Sequence, residues 1–266
     1  MKNNRYCLLT GASGGIGAAL AAALAEQGYT LVLQGRDEAK LRALQEKLGA
    51  DHLIVVGSLN CAKGRADILQ KAFQFGFIDL LVNSAGISHF AEFTALAQTQ
   101  IEEIININLT SPMQLTQAYL QKIGANQATV INVGSAFGAI GFPGFDVYCA
   151  SKFGLRGFTE ALARELADSP VRVAYFAPRS TQTEINNEQV TNMNKALANK
   201  VDSVDVVARE FIKLLRSKQR RHAVGWPEKL FARLNGVFPE LVDRALLGKL
   251  PTIKKFITAK TPIQES

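Results

Sequence analysis

The chain has 266 residues, and its 30 Lys and Arg residues against 23 Asp and Glu residues give a formal net charge of +7. A hydrophobic content of 47% is typical of soluble globular proteins and excludes a wholly disordered chain. Between Lys213 and Lys260 lie 12 basic and 3 acidic residues, a net charge of +9, whereas the remainder has a net charge of −2. The positive charge therefore belongs to a C-terminal tail.

Apolar runs and helix-like patterns alternate along most of the chain. The predicted strands are Tyr6–Leu9, Leu31–Gln34, Leu53–Val56, Ile78–Val82, Thr129–Val133 and Val171–Phe176. The predicted helices are Ile16–Gln27, Asp37–Leu48, Lys63–Phe75, Ile101–Ile123 and Val147–Asp168, with a bend or break at Pro112. Short buried strands separated by helices indicate βαβ units and a parallel sheet. We predict an α/β fold with a doubly wound, Rossmann-like parallel sheet over residues 1–217, followed by a basic, amphipathic helical extension over residues 218–266.

The cysteines and the N-terminus indicate the compartment. Cys7, Cys61 and Cys149 are widely spaced and form no CxxC pair, which argues against a disulfide framework or a structural zinc site. No signal-peptide pattern precedes the first strand, and no apolar stretch approaches the ~18 residues that span a bilayer. We expect a cytoplasmic protein without a metal site, with the inner face of the membrane as a further possible location.

A glycine-rich turn, TGASGGIG, spans Thr10–Gly17 between the first predicted strand and helix. Gly11 permits the tight turn, Gly15 lets the backbone approach a pyrophosphate, and Gly17 lets the helix pack close to the strand. The free N–H groups of Ile16 and its neighbours at the helix N-terminus attract an anion. This pattern predicts a dinucleotide site, and a purely structural glycine turn is the alternative.

The end of the second predicted strand bears on the choice of cofactor. Folds that prefer NAD place a carboxylate there for the ribose 2′-hydroxyl, whereas arginine accommodates a 2′-phosphate. Here Gly35 stands at the expected carboxylate position and Arg36 follows it, while Ser13 in the facing turn offers a hydroxyl. We predict NADP (NADPH). In the alternative, Arg36 only begins a solvated helix and Asp37 binds the ribose.

At this point the sequence resembles the short-chain dehydrogenase/reductase family, in its NADP-preferring type, over about Tyr6 to Ser217. The resemblance rests on motifs that occur in the family's order and spacing: the Thr10–Gly17 turn, Asn83-Ser84-Ala85-Gly86, Asn108, Ser135 and Tyr148-x-x-x-Lys152. It implies an NADP-dependent oxidoreductase that transfers a hydride between the cofactor and a carbonyl or secondary alcohol.

The chemistry needs a proton donor or acceptor beside the reacting oxygen. Tyr148 and Lys152 are four residues apart and so share one face of a helix, where an ammonium group favours the phenolate and lowers its pKa. The resemblance implies that Tyr148 is the general acid/base, that Lys152 also holds the nicotinamide ribose, and that Ser135 binds the substrate oxygen. Asn108 would anchor a water that leads protons to solvent, and Asn106 is the alternative for that role.

The resemblance also implies which residues hold the cofactor, and the chain departs from the family at three of the positions. Ser84 stands where a second Asn is common, Ser58-Leu59 stands where an Asp meets the adenine, and Arg179 replaces a glycine after the sixth strand. Arg179 either reaches a phosphate or acidic substrate group or lies on the surface. The expected cofactor-binding residues are Gly11, Ser13, Gly15, Ile16, Gly17, Arg36, Ser58, Leu59, Asn83, Ala85, Gly86, Tyr148, Lys152, Pro178 and Thr183.

Three segments beyond the strand ends are expected to form the substrate pocket: residues 89–91, 136–145 and 184–201. Phe137, Ile140, Phe142 and Phe145 make the middle segment apolar, which favours a hydrophobic carbonyl substrate, although core or dimer packing explains these residues equally well. The polar residues 184–201 are predicted to form a mobile lid. The runner-up function is a 3-oxoacyl-thioester reductase acting on acyl carrier protein or CoA esters; a non-catalytic dinucleotide sensor or scaffold is the alternative of another class.

The tail has prolines at positions 227, 239 and 251, each suited to begin a short helix. Apolar residues recur at helical spacing within it, flanked by basic residues and by Trp226. Such helices lie on anionic membranes, and we predict peripheral membrane contact through residues 218–260. Alternatively, the tail packs on the domain, covers the cleft or joins subunits of a homodimer or homotetramer. Nucleic acid is not expected, because tracking phosphates needs no apolar helix faces.

Overall fold

A computed structural model describes residues 5–183, 185–226 and 228–257 of the chain. The described residues form a seven-stranded sheet in which every neighbouring pair is parallel, in the order β3-β2-β1-β4-β5-β6-β7. The strands are β1 (Arg5–Leu9), β2 (Tyr29–Gly35), β3 (Leu53–Val56), β4 (Ile78–Asn83), β5 (Ala128–Val133), β6 (Val171–Ala177) and β7 (Arg221–Ala223).

Helices connect successive strands and cover both faces of the sheet. They are α1 (Gly15–Glu26), α2 (Glu38–Leu48), α3 (Ala62–Phe75), α4 (Gln98–Ile105), α5 (Ser111–Ile123), α6 (Asp146–Glu165), α7 (Glu188–Ala196), α8 (Val204–Arg216), α9 (Glu228–Val237) and α10 (Pro239–Ile257). Short 3-10 turns occupy Phe93–Ala95 and Ala136–Gly138. The predicted doubly wound parallel sheet is confirmed, as a single Rossmann-like domain with C-terminal helices.

The core divides according to the two-residue period of the strands. Leu9 of β1 joins Leu20 of α1 and Phe211 of α8 on one face of the sheet. Leu8, its neighbour, points to the other face and joins Leu115 of α5. Burying each of these side chains contributes about 1.5–3 kcal/mol. The strand order reverses between β1 and β4, and the crevice that opens there at the carboxyl ends of the strands is where ligands bind in such sheets.

The predicted helix Ile101–Ile123 is interrupted, but not at Pro112. A π-helical turn spans Asn106–Thr110 between α4 and α5, and Pro112 lies in the first turn of α5, where its missing N–H costs little. The extra residue in the π turn changes the direction of the side chains along the helix. Such turns are frequent at functional sites, and this one carries Asn108.

The polar segment predicted as a lid contains a helix. Asn187 caps α7 by accepting a hydrogen bond from the Val190 amide at 2.9 Å. Val190 and Met193, three residues apart on one face of α7, are buried in a cluster with Ile253 of α10. Two apolar residues are too few to give a periodic signal in the sequence. Glu184, the first residue of the predicted lid, lies outside the described residues.

The C-terminal part differs from its prediction in two respects. β7, which follows residue 217, pairs with β6 through Tyr175 and Arg221 and so belongs to the sheet. Pro239 begins α10 as expected, whereas Pro251 lies inside that helix. Pro227 and residues 258–266 lie outside the described residues. The division into residues 1–217 and 218–266 stays a prediction, and β7 lies in the second part although it belongs to the sheet.

Candidate active site

A crevice of about 750 Å³ follows the carboxyl ends of the strands. It runs from the glycine turn, past the ends of β2, β4 and β5 and the loop after β6, to a wall formed by α7 and α10. The structure places most of the predicted site residues along it. Those that line it are Gly11, Ser13, Gly15, Ile16, Gly17, Arg36, Leu59, Ala85, Gly86, Ser135, Tyr148, Lys152, Pro178 and Thr183.

Gly11 and Gly17 of the glycine turn have no room for a side chain. Gly11 has a φ of +65°, and a Cβ atom there would lie 2.7 Å from the Ala85 Cα. A Cβ on Gly17 would lie 2.1 Å from the carbonyl oxygen of Gly11, so the helix meets the turn only without a side chain. Thr10 links this turn to the residues that follow β4, because its hydroxyl accepts hydrogen bonds from the amides of Ser84 and Ala85 at 3.0 and 3.2 Å.

The N-terminus of α1 is open toward the crevice. Gly14, the N-cap residue, has no side chain with which to cap α1, and the first turn of this described helix contains no acidic residue. Thr183 lies beside this helix end, since a Cβ on Gly15 would lie 2.6 Å from the Thr183 methyl group. Free amides and the positive end of the helix dipole fit a pyrophosphate group.

Arg36 and Asp37 have different surroundings at the end of β2. The Asp37 carboxylate accepts a hydrogen bond from the Lys40 amide at 3.0 Å and caps α2. Arg36 lines the crevice and is exposed. A Cβ on Gly35 would lie 3.2 Å from the Ser13 hydroxyl, so Ser13 and Arg36 face the same end of the crevice. This end is cationic and fits a phosphate better than a ribose diol.

Two predicted cofactor residues do not line the crevice. The Asn83 side chain is buried below it and donates to Thr116 Oγ1 at 3.0 Å and Asn132 Oδ1 at 2.8 Å. Ser58 accepts a hydrogen bond from the Asn60 amide at 3.2 Å, and Leu59 and Asn60 face the crevice instead. Asn83 therefore ties β4 to β5, while the residues after β3 meet the crevice one position later than expected.

Ser135, Tyr148 and Lys152 come together at the middle of the crevice. Lys152 is buried on α6, and its Nζ atom donates to the Val133 carbonyl oxygen at 3.1 Å and lies 5.7 Å from the centre of the Tyr148 ring. Burial lowers the pKa of Lys152 to about 8. Burial raises the pKa of Tyr148 to about 12, while a hydrogen bond with the Ser135 side chain acts in the opposite direction. The expected lowering of the phenol pKa by Lys152 is therefore not seen, and the raised pKa leaves Tyr148 protonated at neutral pH.

Asn108, rather than Asn106, belongs to this centre. Its side chain is buried, donates to the Ile87 carbonyl oxygen at 2.8 Å and to Ser151 Oγ at 3.1 Å, and accepts from the Ile87 amide at 2.9 Å. Asn106 instead donates to the Asn60 carbonyl oxygen, outside the centre. A Cβ on Gly86 would lie 3.3 Å from Asn108 Oδ1 and 3.5 Å from Lys152 Nζ, so both groups border one small space.

Tyr175 on β6 is a positioning residue that the sequence does not reveal. Its hydroxyl accepts from the Ser135 amide at 3.3 Å and lies 3.4 Å from the carbonyl oxygens of Ser135 and Lys152. The ring fits only because Gly134 and Gly138 lack side chains, since a Cβ on either would lie within 2.2 Å of the Tyr175 hydroxyl. Tyr175 thus joins the backbone of two of the central residues.

Arg179 does not lie on the surface, although it is one of the residues that line the crevice. It is buried and forms a two-pronged ion pair with Asp202, with both hydrogen bonds at 2.7 Å. Thr181 and Asp202 also form a parallel bridge. The pair therefore joins the two ends of residues 180–201, the segment that contains α7.

Aromatic side chains form the wall beyond Tyr148. Phe137 stacks on Phe142 at 5.0 Å between ring centres, and Phe145 lies 6.1 Å from the Tyr148 ring. Phe90 packs on Phe145 at 4.9 Å and borders a smaller hollow beside the crevice. Val242, Leu246 and Phe231 of the C-terminal helices close the wall. The far part of the crevice is thus largely apolar.

The described residues contain neither a cluster of metal-ligating side chains nor a helix that is long and apolar enough to cross a bilayer.

Comparison with known families identifies the class of protein. The family model described as short chain dehydrogenase matches residues 5–194. The chain belongs to this family of oxidoreductases, as the motifs predicted.

Individual relatives agree with this assignment. A 3-oxoacyl-[acyl-carrier-protein] reductase of Bos taurus is 34% identical over 215 residues, which cover 76% of this chain and 88% of the relative. A metagenomic short-chain oxidoreductase solved in complex with NADP is 28% identical, with a TM-score of 0.70 over 83% of this chain and 96% of that one. A Burkholderia phymatum short chain dehydrogenase/reductase solved with NAD has a TM-score of 0.80 at 20% identity, over 90% and 95% of the two chains. These two structures share the fold of this chain.

Proposed function

We propose that the protein is an NADP(H)-dependent oxidoreductase that reduces a carbonyl group, or oxidises the corresponding secondary alcohol, of a hydrophobic substrate. The observation that carries this proposal is the meeting of Ser135, Tyr148 and Lys152 midway between an open helix N-terminus and an apolar wall. The cofactor groove and the substrate pocket are continuous there, as hydride transfer between two bound molecules requires.

A protonated Tyr148 supplies the proton that carbonyl reduction needs. NADPH, held by the glycine turn and Arg36, would supply the hydride, and the carbonyl oxygen would then need a proton. Tyr148 holds a proton at neutral pH because burial raises its pKa to about 12. It donates this proton to the oxygen, while Ser135 holds that oxygen by a hydrogen bond. Lys152 and Asn108 border the space from which the phenolate is reprotonated.

Arg36 and Ser13 support the choice of NADP over NAD. Arginine forms charge-assisted, two-pronged hydrogen bonds with phosphate, and Arg36 is exposed at the adenine end of the crevice. Asp37, the carboxylate that would serve NAD, is already occupied as the cap of α2. A relative of 28% identity was solved with NADP.

A 3-oxoacyl-thioester reductase is the second candidate. It is favoured by the bovine relative, which is a 3-oxoacyl-[acyl-carrier-protein] reductase. The apolar wall suits an acyl chain, and Lys200 and Lys249 at its border suit a phosphate on the thioester carrier. The two candidates share the same central residues and differ only in the substrate that the wall admits.

Initial rates of NADPH oxidation across a panel of ketones and 3-oxoacyl thioesters test the proposal, with NADH as the comparison cofactor. We expect turnover with NADPH, and a loss of about 10²–10⁴-fold in Tyr148→Phe without loss of NADPH binding. Unchanged turnover in Tyr148→Phe would refute the mechanism. NADPH binding without turnover of any substrate would favour the sensor or scaffold, and a preference for NADH would overturn the role of Arg36.

The family resemblance also leads us to propose a homodimer or homotetramer. Sedimentation velocity of the full chain distinguishes the two from a monomer.

A further inference from the structure

The two C-terminal helices, α9 and α10, pack over the substrate end of the crevice. Ile253 of α10 is fully buried among the aromatic residues of the wall. Asn235 of α9 donates a hydrogen bond to the Ala139 carbonyl oxygen at 2.9 Å. Phe231 and Val242 face the crevice. The inner faces of both helices are therefore accounted for by packing on the protein's own cleft.

The junction of α9 and α10 carries a different set of apolar residues. Val237, Phe238 and Leu241 are 67%, 55% and 54% exposed, and we call these three residues the apolar corner. The Leu241 amide donates to the Phe238 carbonyl oxygen at 3.2 Å, so the corner is a compact, hydrogen-bonded turn. Contiguous large apolar side chains at such exposure mark interaction sites on soluble proteins.

An exposed basic residue lies on each side of the apolar corner, and two more lie farther along α10. Arg233 lies one turn before Val237 on α9, and Arg244 lies one turn after the start of α10; both are exposed. Lys254 and Lys255 are exposed at the far end of α10. Glu240 and Asp243 lie beside the corner, and α9 and α10 together carry six basic and three acidic residues, a net charge of +3. An apolar tip within a cationic surface is complementary to an anionic lipid bilayer, which offers both negative charge and an apolar interior.

We propose that the apolar corner and its basic surroundings dock the protein on an anionic lipid bilayer. A second copy of the chain fits less well, since two surfaces of the same charge repel each other. Docking brings the crevice close to the lipid, because the helices that form the corner also line the substrate end. Lipid binding does not depend on the proposed reaction, so its test is read without turnover.

Vesicle co-sedimentation of the full chain tests the proposal. Phosphatidylcholine vesicles with and without phosphatidylglycerol are compared at low and high salt. We expect at least about tenfold stronger partitioning onto the anionic vesicles, and a loss of this preference at 1 M salt, where the Debye length is about 3 Å. The variants are Val237→Ser/Phe238→Ser/Leu241→Ser for the apolar corner and Arg233→Glu/Arg244→Glu for the charge. Each should lower partitioning at least about tenfold.

Matched controls use exposed residues away from the tail. Val56→Ser/Phe75→Ser/Phe93→Ser removes three exposed apolar side chains, and Lys63→Glu/Lys71→Glu reverses two exposed charges on α3. Both controls should partition like the unaltered chain. NADPH binding and circular dichroism report whether each variant is folded.

Three results would overturn the proposal. The first is equal partitioning of the corner variant and its apolar control. The second is an oligomer in light scattering that only the corner variant dissociates, with no vesicle binding, which would assign the corner to a contact between copies. The third is saturable binding to acyl carrier protein in place of vesicles, which would assign the surface to an acidic protein partner.

Discussion

Replacing Lys152 by methionine should remove a pH dependence of stability that the unaltered protein carries. Burial lowers the pKa of the Lys152 ammonium from 10.5 to about 8. Between these two pH values the unfolded chain binds a proton that the folded chain does not, so the free energy of unfolding rises with pH. At about 1.4 kcal/mol per pH unit, the total rise is about 3 kcal/mol. Below that interval both states hold the proton, and the full cost of burying the cation is present.

Urea unfolding without cofactor, repeated from pH 7 to pH 11, measures this effect. The free energy of unfolding of Lys152→Met, minus that of the unaltered chain, should fall by about 3 kcal/mol as the pH rises from about 8 to 10.5. Methionine also loses the hydrogen bond to the Val133 carbonyl oxygen, but that loss is nearly constant with pH. For Lys63→Met, at an exposed lysine on α3, the corresponding difference in the free energy of unfolding should not change with pH. A flat difference for Lys152→Met as well would show that the ammonium is hydrated in the folded protein and refute the reasoning.

Other substitutions test the surroundings of the reaction centre. Arg36→Leu should raise the KM for NADPH about 10–100-fold and leave the KM for NADH unchanged, since a hydrogen bond to a charged group contributes about 1.5–3 kcal/mol. Equal effects on the KM of both cofactors would contradict the phosphate contact. Asp202→Asn should lower the free energy of unfolding by about 3 kcal/mol in urea, because it breaks a buried ion pair with Arg179, and a change near zero would argue against that pair. Tyr175→Phe should lower the free energy of unfolding by about 1 kcal/mol. It should also lower kcat more than it changes the KM for NADPH, because the hydroxyl positions Ser135. An unaltered kcat would show that Tyr175 does not position Ser135 for the reaction.

The first six strands were predictable because each is a short apolar run, and this holds even for the edge strand β3. Leu53–Val56 was predicted with the bounds that the structure shows. β7 was not predictable, because Arg221-His222-Ala223 has no apolar pattern and forms a strand only through backbone pairing with β6. The π turn at Asn106–Thr110 was also hidden, since it keeps the helical pattern of the sequence while shifting its phase.

The site was predictable where its residues are close in sequence or mark the ends of strands. Tyr148 and Lys152 share a helix face by spacing alone, and Ser135 follows the end of β5. The ion pair of Arg179 and Asp202 joins residues far apart in the chain, so that only the folded structure shows that Arg179 is buried. Distant pairs of this kind depend on tertiary packing, which a single sequence does not display.

Because the ion pair of Arg179 and Asp202 joins the ends of the segment between them, we expect that this segment can be exchanged for another. Its two ends are held together by the ion pair and by the bridge of Thr181 to Asp202, and the entropy of closing a flexible loop grows slowly, by about 0.6 kcal/mol for each doubling of its length. Residues 184–201 can accordingly change in sequence or length without moving β6 or α8. Grafting this segment from a relative with another substrate is therefore a direct route to altering specificity while the reaction centre stays in place.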